Sequence, residues 1–143
     1  MKRIEKTALV SYSQQQMYKL VDDIDAYASF LPWCGRSEVI TRQGNTVDGK
    51  IEISYSKLNK AFTTRNFNTP YEKIEMQLLE GPFKKLHGVW TFQPLGDEGT
   101  KVTLELEFEF ASKILDMTVG SVFSQIANSL VDAFTQRARD VYG

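Results

Sequence analysis

Between Lys101 and Phe110 apolar and polar side chains alternate without a break. Val102, Leu104, Leu106, Phe108 and Phe110 stand against Thr103, Glu105, Glu107 and Glu109. Successive strand residues point to opposite faces, so this segment reads as a β-strand with one face buried and one in water. From Ser112 to Tyr142 the spacing changes. Leu115, Val119, Val122, Phe123, Ile126, Leu130, Val131, Phe134 and Ala138 recur at three and four residues, the pattern of one long amphipathic helix. A sheet with one apolar face and a helix with one apolar stripe have an economical arrangement: the helix lies across the sheet.

Earlier segments supply the rest of such a sheet. Ile4 to Val10 is a predicted strand. Ser13 and Gln16 form a Ser-x-x-Gln capping box, opening a helix that carries Met17, Leu20, Val21 and Ile24. A second short helix begins near Asp25, with Tyr27, Phe30 and Leu31 on its buried side, and Pro32 ends it. Further strands are predicted at Ser37 to Arg42, Asp48 to Ser56, Ala61 to Asn68, Lys73 to Leu79 and Leu86 to Gln93. Ile51, Ile53 and Tyr55 face inward on the second of these, Ile74, Met76 and Leu78 on the fourth, and Trp90 and Phe92 on the fifth. On the third, Phe62 and Phe67 both read as inward, and their odd spacing implies an irregularity. Turns at Gly44-Asn45, Thr69-Pro70, Gly81-Pro82 and Gly96-Asp97-Glu98-Gly99 are too short for parallel crossovers, so neighbouring strands are antiparallel. The expected class is α+β. A curved antiparallel sheet of about six to seven strands wraps a long C-terminal helix, with two short helices after strand 1, in one domain spanning all 143 residues.

Composition removes several function classes. The net charge is −1, which does not advertise DNA or RNA binding by bulk charge. One cysteine, Cys34, precludes an intramolecular disulfide, and one histidine, His87, precludes a His-rich metal site. No signal peptide is visible, and no unbroken apolar run approaches the length of a membrane span, so any membrane contact is expected to be peripheral.

Local sequences then point to a family. Val21-Asp22-Asp23-Ile24-Asp25-Ala26-Tyr27 leads to Phe30-Leu31-Pro32-Trp33-Cys34, with Ser37 and Val39 following. Gly81-Pro82-Phe83 leads to Leu86, Gly88, Trp90 and Phe92, and Leu106-Glu107-Phe108-Glu109-Phe110 precedes the long helix. Over nearly its whole length the chain resembles the coenzyme Q-binding START-domain family, whose bacterial members include the ribosome association toxins. That family sits in the polyketide cyclase/dehydrase superfamily with the helix-grip fold. The resemblance implies a cavity between sheet and helix that holds a hydrophobic ligand such as ubiquinone, with no catalytic residues and no bound cofactor. Ligand binding in support of respiration or quinone biosynthesis is the leading implication. The alternative is a partner in the large ribosomal subunit, with subunit joining blocked and translation lowered. A third implied activity is that of an aromatase or cyclase. Eukaryotic relatives carry a mitochondrial targeting segment that is not seen here, so the expectation is a cytoplasmic bacterial protein, peripheral at the inner membrane if it meets a membrane at all.

The residues expected to bind ligand are Trp33, Phe62, Phe67, Met76, Phe83, Trp90, Phe108, Met117, Val122, Phe123 and Ile126. Large apolar side chains of this kind line ligand pockets, and they equally fill ordinary cores. Trp33 suits a pocket rim or a packing role under the short helices, and Phe83 suits a rim or lid. Gly120 could loosen the helix near a mouth. Cys34 reads as a small buried hydrophobe rather than a nucleophile. Alternation puts His87 on the solvated face, away from any substrate. Lys57, Lys60, Lys84 and Lys85 would form a basic rim, meeting anionic lipid or ribosomal RNA, if their turns share one end of the sheet. Otherwise they are scattered solvated lysines.

Overall fold

A computed structural model describes residues 1–55, 58–97 and 99–143. Ser56, Lys57 and Glu98, which the sequence pattern places in a strand, a basic rim and a turn, lie outside the described residues. The strands are β1 (Lys2–Val10), β2 (Cys34–Gln43), β3 (Thr46–Tyr55), β4 (Leu58–Thr69), β5 (Lys73–Glu80), β6 (Phe83–Leu95) and β7 (Gly99–Phe110). They form one open antiparallel sheet in the order β1-β7-β6-β5-β4-β3-β2. Hairpins join β2 through β7 as neighbours. Only β1 is out of sequence, paired along β7 with Ile4 opposite Leu106. Helix α1 (Gln14–Asp22), a 3-10 turn at Ile24–Ala26 and helix α2 (Tyr27–Phe30) carry the chain from one sheet edge to the other. Helix α3 (Lys113–Tyr142) closes the chain.

The strong sequence signals reappear as built. Every second residue of β7 from Val102 to Phe110 is buried, and β7 is an interior strand because both β1 and β6 pair with it. The Ser13 hydroxyl accepts from the Gln16 amide at 3.1 Å, and the Gln16 side chain accepts from the Ser13 amide at 2.9 Å. Ser112 caps α3 by accepting from the Leu115 amide at 3.2 Å. Such caps contribute about 1 kcal/mol each.

Several expectations change. Phe67 is 40% exposed, on the outer face. The inner stripe of β4 runs instead through Phe62, Thr64, Asn66 and Asn68, and keeps period two without a break. The irregularity sits on the partner strand: Thr63 pairs with Glu80 and Thr64 with Leu78, leaving Leu79 extra. Tyr55, expected inward, is 46% exposed at the hairpin end of β3. β2 begins at Cys34, three residues before the strand expected from Ser37.

Inward polar residues on β4 are held by side-chain hydrogen bonds, although the buried Asn68 Oδ1 has no partner among the described residues. The Thr64 hydroxyl donates to Asn66 Oδ1 at 2.9 Å, and Asn68 Nδ2 donates to Asp22 Oδ1 at 2.9 Å. Asp22 also accepts from Arg42 at 3.1 Å, so the last turn of α1 is tied to β2 and β4 together. Composition alone would have made these side chains solvent-facing. Partnered buried polar groups escape most of the desolvation cost.

Among the described residues α3 is long and apolar enough to cross a bilayer by length and composition, which differs from the expectation of no such segment. Its Phe123, Ile126, Val131 and Phe134 are spent on the core of the sheet. Phe134 is 1% exposed and meets Tyr27, Phe30 and Trp90 with ring centroids 5.3 to 5.4 Å apart. Phe134→Ala is predicted to lower unfolding free energy by about 3–5 kcal/mol in urea titrations, and a loss under ~1 kcal/mol would show that α3 is not anchored there. On the outer face Arg65 donates to both Asp48 oxygens at 2.9 and 3.0 Å, holding that carboxyl below its usual range. Its contribution is present above about pH 4 and lost as pH falls through the folded value, so Asp48→Asn should lose less stability on acidification than the native chain does. Equal losses in the two proteins would contradict this.

Candidate functional site

α3 does not touch the sheet everywhere. Between them lies an apolar cavity of about 80 Å³. Ile51 and Ile53 of β3, Phe62 and Thr64 of β4, Met76 of β5, Leu86 and Trp90 of β6, and Leu104 and Leu106 of β7 form its floor. Phe123, Ile126, Ala127, Leu130 and Phe134 of α3 form the roof, with Tyr27 and Trp33 closing the side beneath the short helices. The roof residues follow one another at three and four positions, and the floor residues on each strand at two or, on β6, four. The cavity is therefore where one helical stripe meets one sheet face. Met76 is drawn over Gly88, where an added Cβ would sit 2.6 Å from the Met76 methyl.

One end of the cavity is closed by aromatic rings. Phe83 stands 5.7 Å from Phe62 and 5.0 Å from Phe123, and Phe108 stands 4.7 Å from Phe123. Gly81, at φ 153°, packs on Phe62, and a Cβ there would fall 2.7 Å from the Phe62 Cβ. Phe62 is the half-buried member of this group. It faces the cavity on one side and, on the other, an outer cleft lined by Lys50, Lys60, Gly81 and Pro82.

The chemistry of the lining is nearly all dispersion. The Tyr27 hydroxyl donates to the Val21 carbonyl, and burial pushes its pKa well up, so it stays neutral. The Thr64 hydroxyl is committed to Asn66. Cys34 is buried but absent from the lining; burial raises its thiol pKa, and its sulfur lies 3.4 Å from the Arg36 carbonyl. His87 is exposed on the far face of the sheet, its Nε2 3.2 Å from Glu75, whose carboxyl it holds low. Cys34 and His87 therefore do not share a site with each other or with the cavity. Among the described residues no cluster of His, Cys, Asp or Glu is placed to hold a metal ion.

Of the side chains expected to bind ligand, the fold brings Trp33, Phe62, Met76, Trp90, Phe123 and Ile126 onto one wall. Phe83 and Phe108 stand behind it and are fully packed, so Phe83 is no exposed lid. Val122 is half-buried against the core without reaching the cavity. Phe67 is on the opposite face, and Met117 is 84% exposed on the outer side of α3. Thr64 and Ala127 are wall residues that hydrophobicity did not single out. Their signal was positional: two residues from Phe62, and four from Phe123. Gly120 opens no mouth; an added Cβ would sit 2.9 Å from Lys2 Nζ and 2.7 Å from an Asp116 oxygen. Lys60, Lys84 and Lys85 are exposed on the β3–β4 and β5–β6 sides of one sheet end.

A family model described as polyketide cyclase / dehydrase and lipid transport matches residues 10–135. A Vibrio cholerae protein named ribosome association toxin RatA is 43% identical over 143 residues, covering 100% of this chain and 99% of its own. The Pseudomonas aeruginosa protein of that name is 41% identical over 140 residues, covering 98% and 97%. More distantly, the Xenopus laevis coenzyme Q-binding protein COQ10 homolog B, mitochondrial, is 28% identical across 99% of this chain and 61% of its own. Solved structures agree in fold alone. A Thermus thermophilus protein superposes with a TM-score of 0.85 at 18% identity, over 99% of this chain and 100% of that one. The Zhui aromatase/cyclase of a Streptomyces reaches 0.84 at 17%, over 96% and 93%. A long helix roofing an apolar cavity on a seven-stranded sheet, matched in sequence from Val10 to Thr135, places the chain in the polyketide cyclase / dehydrase and lipid transport family.

Proposed function

We propose that this chain associates with the large ribosomal subunit and lowers translation by hindering subunit joining. What carries the reading is identity above 40% over essentially the full length of both chains with proteins named ribosome association toxin RatA. Such association is work for the exterior, and a cytoplasmic location goes with it as part of the proposal. The exposed lysines at one sheet end offer groups for RNA phosphates even though the net charge is −1. The chain is expected to sediment with isolated large subunits and to come off as salt rises from about 50 to 200 mM, as phosphate contacts do. Its addition should reduce joining of the two subunits in sucrose gradients. A chain that stays at the top of the gradient at low salt would overturn the reading.

A second reading rests on the cavity, which we infer binds a hydrophobic molecule, a quinone or other isoprenoid lipid. A void of about 80 Å³ costs roughly 2 kcal/mol at ~24 cal/mol per Å³, a cost that ligand burial would offset. The volume is below the roughly 300–1,000 Å³ of pockets that enclose drug-sized ligands. A whole quinone therefore requires the wall to give, and the half-buried Ile51, Phe62, Met76 and Leu130 are the wall members with room to move. Binding without turnover suits a lining that has no base beside a nucleophile. The aromatase or cyclase reading has fold likeness on its side and no reactive pair in the wall. Mass spectrometry of organic extracts should find an isoprenoid in the native protein and none in Ala127→Leu, whose added side chain occupies the cavity. Extracts of native protein free of any bound lipid would remove this reading and leave the first untouched.

A further inference from the structure

The end of the molecule where α3 begins carries apolar surface that the fold does not use. Ile114 is 74% exposed and Met117 84% exposed. Three residues apart on a helix, they share one face. That face is turned away from the sheet, because Phe123, Ile126 and Phe134 bury the opposite one. Lysines cluster at the same end of the molecule, beside the first turns of α3. Lys2, Lys84 and Lys113 line one surface cleft together with Glu109 and Asp116. Lys2 pairs with Asp116 at 3.3 Å and Lys84 with Glu109 at 3.7 Å, while Lys113 has no ion pair among the described residues. Lys60 and Lys85 are exposed at the same sheet end beside Glu80, so these five lysines outnumber Glu80, Glu109 and Asp116 in a chain whose net charge is −1.

One exposed aliphatic side chain needs no explanation. Two on one face, at the end of the molecule where the lysines cluster, have the chemistry of an interfacial contact. Aliphatic tips enter the boundary between headgroups and acyl chains, and ammonium groups sit at the phosphates on flexible stems. RNA would satisfy the lysines but has no use for Ile114 and Met117. The same end holds Phe62, the half-buried ring between the outer cleft and the cavity.

We propose that this end docks on an anionic phospholipid bilayer, with Ile114 and Met117 entering the interface and Lys2, Lys84 and Lys113 engaging headgroup phosphates. The proposal rests on exposure and charge, and stands or falls separately from ribosome association. Each lysine near an anionic surface adds about fivefold to partitioning, and salt screens that part.

Vesicle flotation tests it, using phosphatidylcholine alone and phosphatidylcholine with roughly a quarter phosphatidylglycerol. The native chain should float only with the anionic vesicles and release in high salt. Ile114→Ser with Met117→Ser should lower binding about tenfold or more, and Lys84→Glu with Lys113→Glu should do likewise. All four positions are exposed, so the folded state persists, and circular dichroism verifies it. Sedimentation with large ribosomal subunits should be unchanged in the serine pair. No preference for anionic vesicles, or unaltered flotation of the serine pair, overturns the proposal. Loss of ribosome sedimentation in that pair, with no flotation of the native chain, would assign the patch to the ribosome instead.

Discussion

Everything in this molecule depends on one stripe of α3 being buried on one face of the sheet. Phe134 closes against Trp90 and Tyr27 at one end, and Phe123 against Phe108 and Phe83 at the other. Each such ring removed from water contributes roughly 1.5–3 kcal/mol. The strands bring the complementary face: β7, in the interior of the sheet, offers Val102, Leu104, Leu106, Phe108 and Phe110 without a polar interruption. The short helices then seal the side, with Asp22 tied to Arg42 and Asn68.

The contact is anchored at its two ends and relaxed in the middle, which is why a cavity exists. Ala127 is small where its neighbours along the stripe are large, and Met76 lies back over Gly88. Close packing is the default for protein interiors, so a retained apolar void is a feature to be explained rather than ignored. The ligand proposed above would explain it. The proposed ribosome association and membrane docking would instead use charged and apolar groups beyond the cavity wall.

Much of this was legible in the residue pattern, and the failures share a cause. The alternation of β7, the Ser13–Gln16 capping box and the period of α3 were readable because local chemistry and tertiary role agree there. Phe67 and Met117 mislead because large apolar side chains are expected inward, although parity with Phe62 and helical phase with Phe123 both place them outside. Thr64, Asn66 and Asn68 were invisible for the converse reason: their burial rests on hydrogen bonds to Asp22 and to one another, which only the assembled fold supplies. The cavity could not be read from the residue pattern, because a wall and a filled core are made of the same residues; only the family resemblance implied it.

The claim that a void is held open beneath α3 is tested most directly by thermal unfolding of delipidated native protein against Ala127→Leu. If the space is there, the added carbons occupy it, and the variant unfolds at a higher temperature by an amount corresponding to about 1–2 kcal/mol. A variant that unfolds at a lower temperature would mean that the enlarged side chain meets packed atoms and that helix and sheet touch throughout.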